Sequence, residues 1–166
     1  MRVSAIAAIS NKSRALGKAN DLLWRIPEDM QRLRSMTTGH PIVMGRKTMD
    51  HLLHLVGHAL PKRTNIVVTR DEGLIQEGFV IVHSLDEALE KAKNSEGGEE
   101  SFIFGGAQLF SLALPKTDRL YLTIVKDEPD ADAFFPEYSE FTKVIEKSEE
   151  KDFEGIKYYY LTLERP

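Results

Sequence analysis

Apolar residues along this chain fall into short runs with two different periods. Val3 to Ser10 (VSAIAAIS) and Pro41 to Met44 are nearly continuous, the pattern of strands buried on both faces. Thr64 to Thr69 (TNIVVT), Val80 to Val82, Phe102 to Phe104 and Leu120 to Val125 predict four more strands, rich in β-branched and aromatic residues. Between these runs the apolar spacing lengthens to three and four. Pro27 lacks an N–H and has its φ preset, which predicts a helix from Pro27 to about Thr37 or Thr38. Its apolar stripe is Ile26, Met30, Leu33 and Met36 or Thr37. A second helix after Gly45 carries Met49, Leu52, Leu53 and Val56. Ser84-Leu85-Asp86-Glu87 is a capping box that opens a third, with Leu85, Ala88, Leu89 and Ala92 inward. Ala107 to Leu114 makes a short fourth helix stopped by Pro115. After a loop at Lys126 to Ala133, Phe141 to Lys147 and Lys157 to Leu163 read as a strand hairpin. Strands alternating with helices imply crossovers. The expected fold class is α/β: a three-layer αβα domain over residues 1–166, with four helices and a mainly parallel eight-stranded sheet ending in an antiparallel C-terminal edge strand.

Composition narrows the function. A chain of 166 residues with 42% hydrophobic residues suits one domain with a sizeable core. Its net charge of −4 and dispersed basic residues argue against nucleic acid as a main partner. The absence of cysteine excludes disulfides, thiolate nucleophiles and cysteine-ligated metal sites, and fits a reducing compartment. The apolar run at Val3 to Ile9 is too short to span a membrane or serve as a signal segment, so a soluble cytoplasmic protein is expected. Two stretches lack a period. Asn11 to Leu23 reads as a long loop leading into Trp24 and Asp29, and Asn94 to Ser101 as a polar surface loop with no evident chemistry.

Candidate chemistry begins at Asp29, which falls inside the apolar stripe of its helix, while Glu28 lies with Gln31, Arg32 and Ser35 on the polar side. An inward acid in a first turn is either a site carboxylate or a group that satisfies free N–H donors, and Ile26 is a poor N-cap. Trp24 is either an N–H handle beside a flat ligand or plain core. Gly45-Arg46-Lys47-Thr48, between a strand and a helix, is either a phosphate site or an ordinary turn with solvated cations. No βα turn carries the G-x-G-x-x-G fingerprint, and no acid is placed for a ribose 2′-hydroxyl. Arg46, Lys47 and Arg70 are each either a solvated surface charge or, if they converge, a group that suits a 2′-phosphate and hence NADPH over NADH. His51, His54 and His58 read as solvated histidines, and no metal is expected.

The motifs L-W-x-I-P-E-D-M at Leu23 to Met30, PIVMGRKT at Pro41 to Thr48, LPKRTNIVVTR at Leu60 to Arg70, FIFGGAQLF at Phe102 to Phe110 and LYLT at Leu120 to Thr123 occur in one order. In that order the chain resembles bacterial dihydrofolate reductase from Val3 to about Arg165. The resemblance implies NADPH-dependent reduction of 7,8-dihydrofolate to 5,6,7,8-tetrahydrofolate for one-carbon metabolism by a monomer that binds dihydrofolate and antifolate-type small molecules. It makes Asp29 the acid that binds the pterin and supports protonation at N5, with Trp24 tied to it through water and Thr123 by a hydrogen bond. Leu22 belongs to the Asn11–Leu23 loop that closes over the nicotinamide. Leu33, Leu52 and Leu60 become apolar walls, Ile6, Ala8, Met30 and Phe104 join the substrate side, and Arg63 takes the substrate's α-carboxylate. Cofactor contacts fall on Ala8, Leu16, Gly17, Gly45, Arg46, Lys47, Thr48, Thr69, Arg70, Gly105, Gly106, Ala107, Gln108 and Leu109, with a cis peptide at Gly105-Gly106. Met49, Ala107 and the segment His51 to Ala59 depart from the family's usual wording. The pyrimidine reductase of riboflavin synthesis and a non-catalytic folate- or nucleotide-binding protein are the alternatives; Asp29 with Trp24 and Arg63 argue against the first, the intact Leu22 to Trp24 segment against the second.

Overall fold

Twelve strands and four α-helices build the chain, and the computed structural model describes all 166 residues. In order these are β1 (Arg2–Ser10), β2 (Ala15–Lys18), β3 (Asp21–Leu22), α1 (Pro27–Thr37), β4 (Ile42–Gly45), α2 (Arg46–Val56), β5 (Asn65–Val68) and β6 (Phe79–Val82). There follow α3 (Leu85–Lys93), β7 (Glu100–Gly105), α4 (Ala107–Ala113), β8 (Arg119–Val125), β9 (Ala133–Phe134), β10 (Lys143–Lys147), β11 (Lys151–Phe153) and β12 (Ile156–Glu164). A 3₁₀ turn at Leu114–Lys116 contains Pro115 and ends the fourth helix, as its sequence predicts.

The main sheet runs β10-β12-β8-β1-β7-β4-β5-β6. From β8 to β6 every pairing is parallel, and β12 is antiparallel to both its neighbours. The expected antiparallel strand therefore lies one place in from the edge, which β10 occupies. The connector between the hairpin strands also pairs, because Lys151–Phe153 folds back along Ile156–Tyr158 as β11. Helices cover both faces. On one, α3 and α4 press Leu85, Ala88, Ala92, Leu109, Phe110 and Ala113 onto β-strand residues such as Ile9, Val43 and Ile103. On the other, α2 buries Met49 against Ile42, Met44, Val67 and Phe102. Near it Trp24 and Ile26 pack on Val125, Tyr158 and Tyr160. Ser84 caps α3 by accepting from the Glu87 N–H at 3.1 Å. The reciprocal bond of the box is shifted by one residue: Glu87 accepts from the N–H of His83 at 3.4 Å.

The largest correction concerns Asn11 to Leu23. Part of this stretch is a hairpin, with Gly17 opposite Leu22 and Lys18 opposite Asp21, and β9 completes a small three-stranded sheet. Ala19 and Asn20, the two residues of its turn, have φ of 51° and 59°. Such a two-residue turn normally announces itself with Asn-Gly or Asp-Gly, and alanine at positive φ leaves no such mark.

Candidate active site

Asp29 stands in the first turn of α1, where the preceding residues make no side-chain cap. Its own carboxylate does not serve the helix: Oδ1 accepts from Thr123 Oγ1 on β8 at 2.5 Å. That bond favours the site reading over capping. Burial pushes the Asp29 carboxyl above its ordinary range, and the Thr123 hydroxyl and the Arg32 charge oppose the rise. Glu28 is more than a solvated acid, since Tyr158 Oη donates to it at 3.1 Å and Lys151 Nζ lies 3.3 Å from its other oxygen. These two contacts strap the C-terminal strands to α1.

Trp24 is buried, and its N–H donates to Asp127 Oδ2 at 2.9 Å. The resemblance directs that N–H toward Asp29 through water, so its commitment to Asp127 is a correction. Ile6 and Ala8, two apart on β1, lie on the α1–α2 face: Ile6, like Leu52, Leu60 and Phe104, packs against the cluster around Met49, and Ala8 packs against the cluster that contains Trp24. Leu33 is half-buried, but Met30, expected in the same inward stripe, is 40% exposed. A helix lying over a groove leaves one edge of its stripe uncovered. Arg63 sits at the far end, donating to Pro61 O at 2.9 Å and Thr37 Oγ1 at 3.1 Å. Burial and then the neighbouring charge of Arg34 lower its pKa, a setting that favours an anion between them.

The second group of predicted residues converges at the carboxyl ends of β4, β5 and β7. Gly45 and Gly106 precede α2 and α4, and neither helix has a side-chain cap. The Gly105-Gly106 peptide is cis, and Gly105 has φ of 102° with Phe110 so close that a Cβ would lie 2.6 Å from its ring. A Cβ on Gly45 would meet Gly105 O at 3.7 Å, so the two turns are neighbours. Arg46 is tied to Asp50 and Asp71, both at 3.2 Å. Arg70 is exposed and free of ion pairs, Lys47 is exposed, and Thr48 and Thr69 are half-buried. Gln108 is exposed and Ala107 half-buried, while Leu109 turns its side chain into the core and leaves only backbone at this surface. Uncapped helix N–H groups beside spare cations and glycines suit the phosphates of a dinucleotide. NADPH fits the residues present.

Leu16, Gly17 and Leu22 lie on the small sheet, and Leu22, on its outer strand, is 42% exposed. That sheet is held from both sides. Asn20 Nδ2 donates to Lys47 O on α2 at 3.1 Å, and His51 Nε2 faces Asp21 Oδ1 at 3.4 Å. His51 is thus half-buried, unlike the exposed His54 and His58, and no group of acid and histidine side chains converges to hold a metal. From the other side, Glu128 accepts from the N–H groups of Lys12 and Ser13, Asp132 accepts from Ala19 N at 3.0 Å, and Asp130 pairs with Lys18. Sequence reasoning passed over Asp127, Glu128, Asp130 and Asp132. Their signal was present, as four acids in six residues opposite a stretch with unpaired backbone donors.

The fold and the site together define an α/β enzyme that binds a phosphorylated nucleotide cofactor and holds one carboxylate over an apolar cleft. The family model described as dihydrofolate reductase matches residues 2–165. The dihydrofolate reductase of Staphylococcus haemolyticus is 36% identical over 168 residues, covering 99% of this chain and 96% of its own. That of Bacillus subtilis is 40% identical over 138 residues, 83% of this chain and 78% of its own. A solved structure of the Enterococcus faecalis dihydrofolate reductase, complexed with NADP(H) and RAB-propyl, superposes with a TM-score of 0.87 at 29% identity, covering 99% of this chain and 96% of that one. The chain belongs to the dihydrofolate reductase family. It is an NADPH-dependent oxidoreductase that reduces 7,8-dihydrofolate to 5,6,7,8-tetrahydrofolate.

Proposed function

We propose that this chain carries out that reduction with Asp29 as its one acid–base group, in a single domain formed by the whole chain. The observation that carries the reading is the half-buried Asp29 carboxylate bonded to Thr123 rather than to its own helix. Held by the residues at the ends of β4, β5 and β7, NADPH would supply the hydride for C6 of the substrate. Asp29 accepts hydrogen bonds from the pterin's 2-amino group and ring nitrogen, and so favours the protonated form at N5. Thr123 orients the carboxylate, and Trp24 walls the cleft. Leu22, on the small sheet, excludes water from the reacting atoms. Ile6, Ala8, Met30, Leu33, Leu52, Leu60 and Phe104 line the substrate side, and Arg63 takes the α-carboxylate, for which its planar fork is suited.

Arg70 and Lys47, with the uncapped start of α2, hold the cofactor's phosphates; Arg46 contributes less, since two acids already occupy it. Replacing Arg70 with Ala weakens NADPH by about 1.5 to 3 kcal/mol, the range for a hydrogen bond to a charged group, and NADH far less. Titrating both cofactors against the variant checks this, and equal losses would place Arg70 away from the 2′-phosphate. For Asp29, the test is NADPH oxidation with dihydrofolate by Asp29→Asn. A cytoplasmic monomer binding dihydrofolate and antifolate-type molecules completes the reading, supported by the cysteine-free composition and by the placing of exposed Ile75 in the connection between β5 and β6, Leu112 on α4 and Val144 on β10. No helix is long and apolar enough to cross a membrane.

A further inference from the structure

Alternate residues from Thr123 onward, along β8 and just past its end, serve one side of the cleft. Thr123 donates to Asp29, Val125 packs in the cluster that contains Trp24, and Asp127 accepts from the Trp24 indole N–H at 2.9 Å. The residues opposite Thr123 on the two neighbouring strands are Ala8 on β1 and Tyr160 on β12. Tyr160 belongs to the Trp24 cluster and Ala8 packs against it. That cluster therefore flanks Thr123 on both neighbouring strands and one step along its own.

An indole N–H donates and cannot accept, so its one bond fixes which way the ring is turned. Trp24 is only 9% exposed, and water or a neutral side chain would be enough to satisfy this donor. A carboxylate makes a charge-assisted bond roughly twice as strong. The acceptor is itself held in place. On one side of Asp127, Lys126 N donates to Lys157 O at 2.8 Å, which extends the pairing of β8 with β12. On the other, Glu128 accepts from the N–H groups of Lys12 and Ser13 at 2.8 and 3.1 Å and from Ser13 Oγ at 2.7 Å. Asp127 is exposed, and the indole is the one hydrogen-bond partner of its side chain. Its fixed position thus serves Trp24 and nothing else.

We propose that Asp127 is a positioning residue for the reaction: by holding the Trp24 indole through its N–H, it fixes the cleft wall beside Thr123 and Asp29 against which the substrate is aligned. Asp127 acts only through Trp24. The bond commits the indole's single donor to the end of β8, so the ring keeps one orientation as substrate enters and leaves. A small shift in such a wall misaligns the reacting atoms and costs rate without any loss of chemical groups. The inference rests on Trp24 being a wall of the substrate cleft.

The test uses the full chain, whose single tryptophan gives one indole signal in nitrogen-15–proton spectra. Without ligands, Asp127→Ala moves that signal upfield and speeds its exchange with solvent, while Asp127→Asn, whose amide oxygen still accepts, stays close to the parent. With saturating NADPH, Asp127→Ala lowers kcat/KM for dihydrofolate by on the order of tenfold, the lower end of what one hydrogen bond to a charged group carries, and Asp127→Asn recovers most of the loss. In Trp24→Phe, which has no N–H, Asp127→Ala causes no further loss. An unmoved indole signal in Asp127→Ala overturns the proposal. So does an unchanged kcat/KM, which would leave the bond as the mere satisfaction of a buried donor. A loss that persists in Trp24→Phe overturns it as well, because Asp127 would then act by another route. The spectral measurement needs no substrate, so its failure is distinguishable from failure of Asp29's role, which turnover by Asp29→Asn decides.

Discussion

Asp29→Asn binds NADPH normally and loses dihydrofolate reduction at neutral pH by on the order of 10²- to 10⁴-fold, the usual contribution of a positioned acid or base. The amide keeps the bond from Thr123 and the shape of the cleft, so cofactor binding at the ends of β4, β5 and β7 is untouched. What disappears is the negative charge that favours a proton on the substrate. In acid, substrate protonated in solution bypasses that need, and part of the activity returns. Steady-state rates across the pH range, with NADPH affinity measured separately, check both halves. Full turnover at neutral pH would reduce Asp29 to a structural acid.

The same variant carries a stability signature with a defined sign. Burial raises the Asp29 pKa, so the folded state holds this proton more tightly than the unfolded chain, whose carboxyl titrates at about 3.9. Asp29's effect on stability is most favourable below that value. It declines as pH rises from there through the folded pKa, and above it the full penalty of a buried charge applies. Asn carries no charge, so Asp29→Asn should unfold at higher denaturant than the parent at neutral pH, with the gap closing in acid. Denaturant midpoints at the two pH values decide the matter, and a constant gap would deny that burial penalises this charge.

Gly97→Ala has the largest expected effect on stability. Gly97 lies between α3 and β7 with φ of 71°, and a Cβ there would fall 1.7 Å from Gly39 O and 3.1 Å from the His40 Cα. Backbone on both sides of the contact must move. The site is further pinned by His40, whose Nδ1–H donates to Gly97 O at 2.9 Å while its ring meets Phe102 edge-on at 5.6 Å. Positive φ and a backbone displacement together cost about 3 to 5 kcal/mol, a large share of a typical domain's stability. The melting temperature should fall by on the order of 10 °C. Gly155→Ala is the control, since Gly155 has φ of 88° but open space around it, and should cost about 1 kcal/mol. Similar losses in the two variants would mean that the approach of Gly97 to Gly39 is not rigid.

The Gly97 contact was invisible in the sequence, where Asn94 to Ser101 reads as a polar loop, because contact between residues 39 and 97 exists only once β4 and β7 pair. Periodicity and local chemistry alone determined the strands of the parallel sheet, all four helices, the Pro27 start of α1 and the Ser84 cap, since each depends on residues within a turn or two of one another. They also placed Asp29 on an inward face, and the motif order supplied the family. Tertiary structure alone decided what those residues touch. Thr123 reaches Asp29 across 94 positions of sequence, Asp127 captures the Trp24 N–H, and Tyr158 and Lys151 hold Glu28. The hairpin at Lys18–Asp21 escaped for a local reason, a turn built on Ala19 and Asn20 without glycine, and it is stabilised by distant acids at Glu128, Asp130 and Asp132. Spacing along a chain reports which face a side chain takes; only the folding of strands and loops against one another selects its partner, because that choice is made by packing between segments far apart in sequence.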